Sequence, residues 1–444
     1  MKNNFFILLL FIFCCTSVKS IDNEIMSQVS LNDISLKDKI SQMIMIRVDG
    51  KYYTENHWKE TKIKDLIQEY KIGGVITYGG SVHGTFYRLK DFQENSKIPL
   101  FVAADYERGL GTFMNGTLFP PNMALAATEA TNLAYLQGKY IPSEAKSIGV
   151  NMIFAPVLDI NNNLNNPIIN IRSYGDNPQN VIKYGIPFIK GIQENGILAC
   201  AKHFPGHGDT ETDSHLSLPV IHHSRERLDS IEFFPFKSLV DNGLGSIMVG
   251  HINLPKINSS NIPSTFSKKI IFDILKQQLG FKGIVISDAL NMNALSNYNI
   301  AGERELNAFL AGNDILLFPK NIPQAIDLIR QEVNKYPLLE KQLNYSCKKI
   351  LMLKKWANVF REESFDYNSS LQSSVSKDLN RRLTHNAITV LKNRDKLLNK
   401  EVLPLRRLDS LKIASLSMGP SSGEVFSSRL NDYLPISNYI YNRI

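Results

Sequence analysis

The stretch Gly196–Val220 reads GILACAKHFPGHGDTETDSHLSLPV. Its first six residues form an apolar run of the length and composition typical of a short buried strand. The ionisable side chains of the polar, glycine-containing loop that follows include Lys202, His203, His207, Asp209, Asp213 and His215. Rigid scaffolds carry their functional groups on loops of this kind at strand ends. The stretch therefore predicts a buried strand that delivers a functional loop to the edge of a sheet.

Seven similar apolar runs occur elsewhere, and the full set is Met43–Val48, Gly74–Tyr78, Leu100–Ala104, Met152–Leu158, Ile197–Ala201, Ile247–Val249, Ile284–Ile286 and Ile315–Phe318. Between most of them lie stretches with helical periodicity, among them Glu129–Ile148, Val181–Asn195, Leu228–Asn242 and Lys268–Leu279. Eight strand–helix units over about 320 residues predict an α/β fold, a (β/α)₈ barrel. The competing fold is a doubly wound open sheet, but no Gly-x-Gly-x-x-Gly follows the first strand.

In such barrels, active sites form at the carboxyl ends of the strands. Ionisable residues follow five successive predicted strands: Asp105, then Asp159 and Arg172, then Lys202 and His203, then His251, and finally Asp288. An isolated aspartate in the position of Asp288 would ordinarily cap a turn or a helix. Its place in this series favours a nucleophile or an electrostatic stabiliser instead.

Asp213 and His215 are two residues apart, so on an extended loop their side chains point the same way. The carboxylate can then hold the imidazole in one tautomer, as the aspartate of a catalytic triad does. His203 and His207 have the spacing of a zinc-binding pair on a helix, but Pro205, Gly206 and Gly208 disfavour a helix there. We therefore expect no metal site.

The composition indicates a sizeable core and no nucleic-acid partner. Of the 444 residues, 43% are hydrophobic, which is enough for a large domain. The formal net charge of +8 is spread along the chain and does not form the basic stripe with aromatic residues that nucleic-acid binding requires. Nothing in the sequence indicates an obligate protein partner.

Residues 1–20 combine a basic start, a short apolar run and small residues near the end, which predicts a secretory signal peptide. The protein is then exported to the periplasm or the cell surface. Cys14 and Cys15 directly follow the apolar run, so a lipid anchor on either cysteine stays open. The remaining cysteines, Cys200 and Cys347, are expected to be free thiols.

Seven blocks of this sequence resemble family 3 glycoside hydrolases, and in particular their bacterial β-N-acetylglucosaminidase branch. They are Phe119–Thr128, Ala155–Ile160, Arg172–Gly175, Lys202–Gly208, Asp213–Pro219, Ile247–His251 and Gly280–Leu290. The blocks run in the family's order over roughly Leu36 to Trp356.

The resemblance implies a retaining β-N-acetylhexosaminidase that acts without a cofactor and releases terminal N-acetylglucosamine from glycans such as peptidoglycan fragments. It implies that Asp288 is the nucleophile and that His215, oriented by Asp213, is the general acid/base. It also implies that the sugar site is formed by Asp105, Arg172, Lys202, His203 and His251. The chain departs from the family at Arg108, where a glycine is usual, and at Phe113, where an arginine is usual. These two changes leave the preferred leaving group open.

The domain boundaries follow from these patterns. We expect the catalytic barrel over residues 21–356 and a polar, serine-rich linker over 357–383. Residues 384–444 carry strand patterns at Ala387–Leu391 and Leu411–Leu416 and a helix pattern at Val425–Tyr433. This segment is expected to be the start of an α/β sandwich domain that about sixty residues are too few to complete.

Three alternatives to the favoured activity stay open. One is a β-glucosidase of the same family, and another is a secreted carbohydrate-binding protein without turnover. The third is phosphorolysis, because an imidazole tolerates an incoming phosphate better than a carboxylate does.

Overall fold

A computed structural model describes residues 30–441, apart from residues 52, 55, 260, 360–370, 395–399 and 419–423. The predicted signal peptide and the cysteines Cys14 and Cys15 lie outside the described residues. Within the described part of the chain, no helix combines the length and the apolar character needed to cross a membrane.

Eight parallel strands form one closed sheet. They are β1 (Ile44–Gly50), β2 (Gly74–Gly80), β3 (Phe101–Ala104), β4 (Met152–Ile153), β5 (Leu198–Phe204), β6 (Ser246–Val249), β7 (Ile284–Ser287) and β8 (Leu316–Leu317). The spatial order is β7-β6-β5-β4-β3-β2-β1-β8, and a bridge between Ile286 and Ile315 joins the two ends. Each strand overlaps one of the eight predicted runs, so the predicted (β/α)₈ barrel is confirmed.

Helices surround this sheet, and the α-helices of the barrel are Leu36–Ser41, Trp58–Tyr70, Val82–Glu94, Asn122–Ala127, Thr131–Ser147, Pro178–Glu194, Arg225–Ser230, Phe233–Asp241, Glu303–Ala311, Ile322–Lys335 and Pro337–Trp356. A π-helical segment, Lys269–Gln278, precedes β7. The predicted helix over Leu228–Asn242 is divided in two. The second helix restarts at Phe233, which places Pro235 in its first turn, where a missing N–H is tolerated.

The barrel unit extends further than predicted. Within the predicted linker, a helix begins at Ser374 and runs to Asn386. Leu379 and Leu383 of this helix are buried in the core cluster of the barrel. The compact unit that contains the barrel therefore ends at Ile388, and the linker boundary at residue 383 is wrong.

The second compact unit, Thr389–Ile444, contains two parallel strands with a helix between them. These are β9 (Ile413–Met418), the helix Glu424–Asn431 and β10 (Ile436–Tyr441). The predicted strand at Ala387–Leu391 does not form, because Ala387 caps the preceding helix. Cys200 and Cys347 are buried free thiols in the barrel unit, as predicted.

Candidate active site

One cavity at the carboxyl ends of the strands gathers most of the predicted site residues. Its volume is about 510 Å³. Six predicted residues line it: Asp105, Arg172, Lys202, His203, His215 and Asp288. Lys202 and His203 lie at the carboxyl end of β5, and the other four side chains come from the segments that follow β3, β4, β5 and β7. The six are separated by up to 183 positions in sequence, and the barrel brings them to one mouth.

A network of charged groups forms one wall of the cavity. The buried Lys202 Nζ donates to Asp105 Oδ1 at 2.6 Å and lies 2.7 Å from Glu107 Oε1. Arg172 donates to both oxygens of Glu107, from Nη2 at 2.7 Å and from Nε at 3.1 Å. Charged hydrogen bonds of this kind are short and directional. The network therefore presents carboxylate and cationic groups in fixed positions, which suits the recognition of sugar hydroxyls.

In this network the pKa values of Glu107 and Lys202 are both shifted in favour of the charged form. Burial alone would raise the pKa of Glu107, but the adjacent Lys202 and Arg172 hold it well below its usual value. Burial would likewise lower the pKa of Lys202, whereas Asp105 and Glu107 raise it above its usual value. Opposite charges at hydrogen-bond distance thus outweigh desolvation at both positions.

Asp159 organises the loop that follows β5. Its fully buried carboxylate accepts from His203 Nδ1 at 2.7 Å and from the backbone N–H of His207 at 2.7 Å. Since a carboxylate only accepts, His203 carries a proton on Nδ1, and its Nε2 is left for the cavity. Gly208 lies so close to the backbone of Ile160 that a Cβ at position 208 would fall 1.7 Å from the Ile160 carbonyl oxygen. The glycine is therefore required for this loop to pack.

Asp288 follows β7 directly and lines the cavity. Its Oδ1 accepts the backbone N–H of Ala289 at 2.8 Å. Burial would raise the pKa of Asp288, but the nearby His251 and His203, the Ala289 N–H and Lys202 together hold that pKa below its usual value. An ionised carboxylate at a cavity wall is the form that a nucleophile requires.

Asp213 and His215 form the predicted pair. Asp213 Oδ1 accepts from His215 Nδ1 at 2.8 Å and from the His215 backbone N–H at 2.7 Å. The proton on Nδ1 leaves Nε2 as the nitrogen that can exchange a proton with a ligand. The His215 side chain is 66% exposed, so its pair lies on the open side of the cavity, unlike the buried charged network.

His251 was predicted to line the site, and this prediction is wrong. The side chain is fully buried, with Nδ1 at 2.7 Å from Thr265 Oγ1 and Nε2 at 3.0 Å from the carbonyl oxygen of Ala289. Because both ring nitrogens are occupied by protein partners, His251 cannot bind a sugar. It supports the segment that carries Asp288, since Ala289 is the next residue.

Several cavity residues were not predicted from the sequence. Glu107 is the most important, because it bridges Lys202 and Arg172. Tyr78 donates to Asp105 Oδ2 at 2.6 Å and also lines the cavity. Glu107 carries a usable sequence signal, since it lies two residues beyond Asp105. For Tyr78, the only sequence signal is its position at the end of the second predicted strand.

A possible metal-binding group lies apart from the cavity. Among the described residues, Asp209, His223 and Glu232 place their ligand atoms within 4.8 Å of one another. Arg227 Nη1 donates to both oxygens of Glu232, at 2.8 and 2.7 Å, so a guanidinium already fills the cation position. The rings of His203 and His207 are likewise bonded within the protein, to Asp159 and to Thr210 and Ser214.

The residues of the barrel match a family model described as the glycosyl hydrolase family 3 N terminal domain, over residues 35–353. The chain belongs to glycoside hydrolase family 3. The family assignment agrees with the order of its sequence blocks and with the barrel on which they lie.

Individual family 3 relatives cover different shares of the chain. It is 33% identical to "Beta-hexosaminidase A" of Pseudoalteromonas piscicida over 80% of its own length and 64% of the relative's. It is 29% identical to a "Beta-N-acetylglucosaminidase/beta-glucosidase" of Cellulomonas fimi over 67% of its own length and 59% of the relative's. The chain therefore spans about three fifths of these relatives.

A solved family 3 structure also matches most of the fold. The β-N-acetylglucosaminidase from Paenibacillus sp. str. FPU-7 superposes with a TM-score of 0.80 at 28% identity. The match covers 92% of this chain and 80% of that chain.

Proposed function

We propose that this protein is a retaining exo-β-N-acetylglucosaminidase that releases terminal N-acetylglucosamine from glycans such as peptidoglycan fragments. The observation that carries the proposal is that Asp288 and His215 line the same cavity. A carboxylate and an imidazole at one site can act on the two atoms of one glycosidic bond. The names of the Pseudoalteromonas and Paenibacillus relatives support the N-acetylhexosamine substrate.

In the first step, an Asp288 carboxylate oxygen attacks the anomeric carbon and forms a covalent glycosyl ester. The bond between that carbon and the leaving oxygen breaks. The leaving oxygen takes the proton from Nε2 of the His215 imidazolium. Asp213 stabilises the imidazolium through the hydrogen bond to Nδ1.

In the second step, the neutral His215 accepts a proton on Nε2 from a water molecule. The water oxygen attacks the anomeric carbon, and the ester bond to Asp288 breaks. The free sugar leaves with the β configuration restored, and both side chains regain their starting protonation states.

The charged wall would hold the terminal sugar during both steps. Asp105 and Glu107 accept from sugar hydroxyls, Arg172 and Lys202 donate to sugar oxygens, and the free Nε2 of His203 accepts from a sugar hydroxyl. Because these groups are already fixed by one another, little entropy is lost when the sugar binds. The N-acetyl group then lies against the apolar part of the cavity lining, which includes Phe154 and Met248.

Aryl glycosides test the proposal directly. We expect release of p-nitrophenol from the β-N-acetylglucosaminide and its loss in Asp288→Ala, with Asp229→Ala, an exposed aspartate of the helix Arg225–Ser230, as the matched control. A binding protein without turnover would release no p-nitrophenol from any substrate. Rates that rise with added phosphate, with sugar phosphate as product, would indicate phosphorolysis.

A β-glucosidase is the second candidate. The double name of the Cellulomonas fimi relative supports it. The two activities are separated by the ratio of kcat/KM for the N-acetylglucosaminide and the glucoside, and a ratio in favour of the glucoside would reject the main proposal.

The proposal also places the mature enzyme outside the cytoplasm, on the pattern of residues 1–20. Amino-terminal sequencing of the exported protein would test this placement. A start near residue 21 supports cleavage of a signal peptide, a lipid-blocked Cys14 or Cys15 supports an anchor, and retention of Met1 contradicts both.

A further inference from the structure

A loop after β3, residues 107–119, forms part of the lining of the active-site cavity, and we name it the lip. Its cavity-lining residues are Glu107, Arg108, Thr112 and Phe113. Glu107 is fixed by its ion pairs with Lys202 and Arg172. The other three lie in a segment without strand pairing, and such loops are mobile unless other parts of the protein hold them. The contacts that hold the lip therefore affect the shape of the cavity.

The two arms of the lip are joined by hydrogen bonds. The backbone N–H of Phe119 donates to the carbonyl oxygen of Arg108 at 2.9 Å, and Arg108 Nε donates to the carbonyl oxygen of Phe119 at 2.9 Å. Nearer the tip, the backbone N–H of Gly111 donates to the carbonyl oxygen of Thr117 at 3.0 Å. Because the arms are joined in this way, a contact that holds Thr117 also restrains the arm that carries Arg108.

A buried carboxyl group outside the lip holds Thr117. It belongs to Glu144, which lies on the helix Thr131–Ser147 and is 3% exposed. Glu144 Oε2 accepts the backbone N–H of Thr117 at 2.8 Å, and Glu144 Oε1 lies 2.6 Å from Thr117 Oγ1. The same Oε1 accepts the backbone N–H of Gln372 at 2.8 Å. Glu144 thus joins the lip to the residues that directly precede the helix Ser374–Asn386.

The helix Ser374–Asn386 also contacts the lip directly. Ser376 Oγ lies 3.1 Å from Thr117 Oγ1, and Asn380 Nδ2 donates to the carbonyl oxygen of Leu118 at 3.0 Å. Ser376 and Asn380 are four residues apart, so they lie on one face of the helix. The side chains on this face and Glu144 together fix the second arm of the lip.

We propose that Glu144 and the helix Ser374–Asn386 are positioning groups for the sugar site. They do not line the cavity, and they act by holding the lip residues Arg108, Thr112 and Phe113 in place around the terminal sugar. A supporting shell of this kind keeps a binding site preorganised, so that less entropy is lost when the ligand binds. That the lip surrounds a sugar rests on the proposed function, whereas the contacts that hold the lip do not depend on it.

The proposal predicts a separation of binding from chemistry. Asp288 and His215 lie on other segments, and their hydrogen bonds to Ala289 and Asp213 do not involve the lip. A displaced lip therefore weakens the binding of the sugar in the ground state and in the transition state alike. Such a loss raises KM and leaves kcat unchanged.

Glu144→Gln tests the carboxyl group while keeping its shape. One of the two oxygens becomes an NH₂ group, so the backbone N–H of Thr117 or of Gln372 then faces a donor. We expect KM for the aryl N-acetylglucosaminide and the inhibition constant of free N-acetylglucosamine to rise about tenfold, with kcat within about threefold of wild type. Thr117→Ser keeps the hydroxyl and the N–H, so all three constants should stay within about twofold of wild type.

The double variant Ser376→Ala/Asn380→Ala tests the helix. It removes both side-chain contacts to the lip and leaves Glu144 in place. We expect KM and the inhibition constant to rise about three- to tenfold, again with little change in kcat. Val375→Ala is the matched control, because Val375 lies on the same helix and is 49% exposed.

Hydrogen exchange with peptide mass spectrometry measures the lip itself. Peptides from residues 108–119 should exchange faster in Glu144→Gln and in the double variant than in wild type or Val375→Ala, while peptides from β5 and β7 should exchange at the wild-type rate. Urea unfolding confirms that each variant is folded under the assay conditions. If Glu144→Gln does not fold, the double variant decides the outcome.

The results distinguish this proposal from the proposed function. Wild-type KM and wild-type lip exchange in the folded variants would overturn the positioning role. A fall in kcat with unchanged KM would overturn it as well. Failure of the wild type to hydrolyse any aryl N-acetylglucosaminide would overturn the proposed function, while the exchange rates would still show whether Glu144 and the helix hold the lip.

Discussion

At the scale of single residues, Asp213 has the clearest assignable role. Its Oδ1 accepts two hydrogen bonds from His215, one from the ring and one from the backbone. We expect Asp213→Ala to lower kcat about 10²- to 10⁴-fold, because the imidazole loses both its orientation and the charge that stabilises its protonated form. KM for the aryl N-acetylglucosaminide should change little. A kcat within threefold of wild type would show that His215 needs no orienting carboxylate.

The protonation state of Asp288 gives a prediction about pH. The nucleophile reacts when it is ionised, and its pKa lies below the ordinary value of 3.8. A lowered pKa keeps the carboxylate ionised to a lower pH. Protonation of Asp288 should therefore reduce kcat/KM only at pH values below about 4. A pH–rate profile of the wild type and of Asp288→Glu, with circular dichroism to detect unfolding, measures this. An acid limb near pH 6 that moves with the Asp288→Glu change would contradict the assignment.

Most single residues of the site could be predicted because they follow strands directly. Asp105, Lys202 and Asp288 are examples, since each lies one or two positions beyond the end of an apolar run. The prediction failed for His251, whose position after β6 is right but whose ring is held by Thr265 and Ala289, 14 and 38 residues further on. The direction of a side chain depends on such distant partners, and one sequence does not specify them.

At the scale of secondary structure, the helix Ser374–Asn386 was missed. Only Leu379 and Leu383 are apolar on its buried side, and the residues around them are mostly polar. Hydrogen bonds add to this packing, since Gln372 N donates to Glu144 Oε1 at 2.8 Å and Thr117 Oγ1 donates to Ser376 Oγ at 3.1 Å. Two leucines four residues apart are too weak a pattern to indicate a helix without the surface that covers them.

This helix gives a stability prediction. We expect Leu383→Ala to lower the free energy of unfolding by about 2–4 kcal/mol, because Leu383 is fully buried against the barrel. Val375→Ala, at a position 49% exposed on the same helix, should change it by less than about 0.5 kcal/mol. Urea unfolding measures both variants. Equal stabilities for the two would show that the helix does not contribute to the barrel unit.

The apolar run that predicts β4 is longer than the strand itself. The apolar run Met152–Leu158 predicts seven strand residues, but the strand ends at Ile153. Pro156 lacks the N–H that a central strand needs, so regular pairing stops before it. An isolated bridge from Val157 to Lys202 keeps the segment beside β5. The run therefore predicts the path of the chain better than its hydrogen bonding.

At the scale of the whole molecule, the barrel closes between β7 and β8, and Asp314 is central to this closure. It is fully buried and accepts the backbone N–H of Val285 in β7 at 2.8 Å and the hydroxyl of Ser346 at 2.6 Å. It also pairs with the buried Lys349 of the helix Pro337–Trp356. Burial would raise the pKa of Asp314, but Lys276, Lys349 and these hydrogen bonds hold that pKa below its usual value.

We expect Asp314→Ala to lower the free energy of unfolding by about 3–5 kcal/mol at pH 7, because the buried Lys349 loses the carboxylate that offsets its burial and the Val285 N–H and the Ser346 hydroxyl lose their acceptor. Since the folded pKa of Asp314 is depressed, its contribution is complete above the unfolded value and is lost as the pH falls through the folded one. The difference from wild type should therefore persist down to pH about 4. Chemical unfolding at several pH values measures this, with the exposed Asp327→Ala as the control. A difference already lost at pH 6 would contradict the ionised state of Asp314.

The overall architecture was the most predictable feature of the molecule. Eight apolar runs with helical patterns between them specify a closed parallel barrel, because few other folds accommodate that repetition. The end of the barrel unit at Ile388 was not predictable in the same way. The position of this end depends on packing between the mostly polar helix Ser374–Asn386 and a surface built from distant parts of the chain.

The central claim is that Asp288 and His215 act on the same glycosidic bond through a covalent intermediate. The most direct test is to trap that intermediate with a 5-fluoro analogue of an activated N-acetylglucosaminide and to locate the label by peptide mass spectrometry. We predict one sugar per chain, attached to Asp288, with labelling absent in Asp288→Ala and slowed in Asp213→Ala when the leaving group needs a proton. A label on another residue, or turnover of the parent substrate with no label on Asp288, would contradict the account.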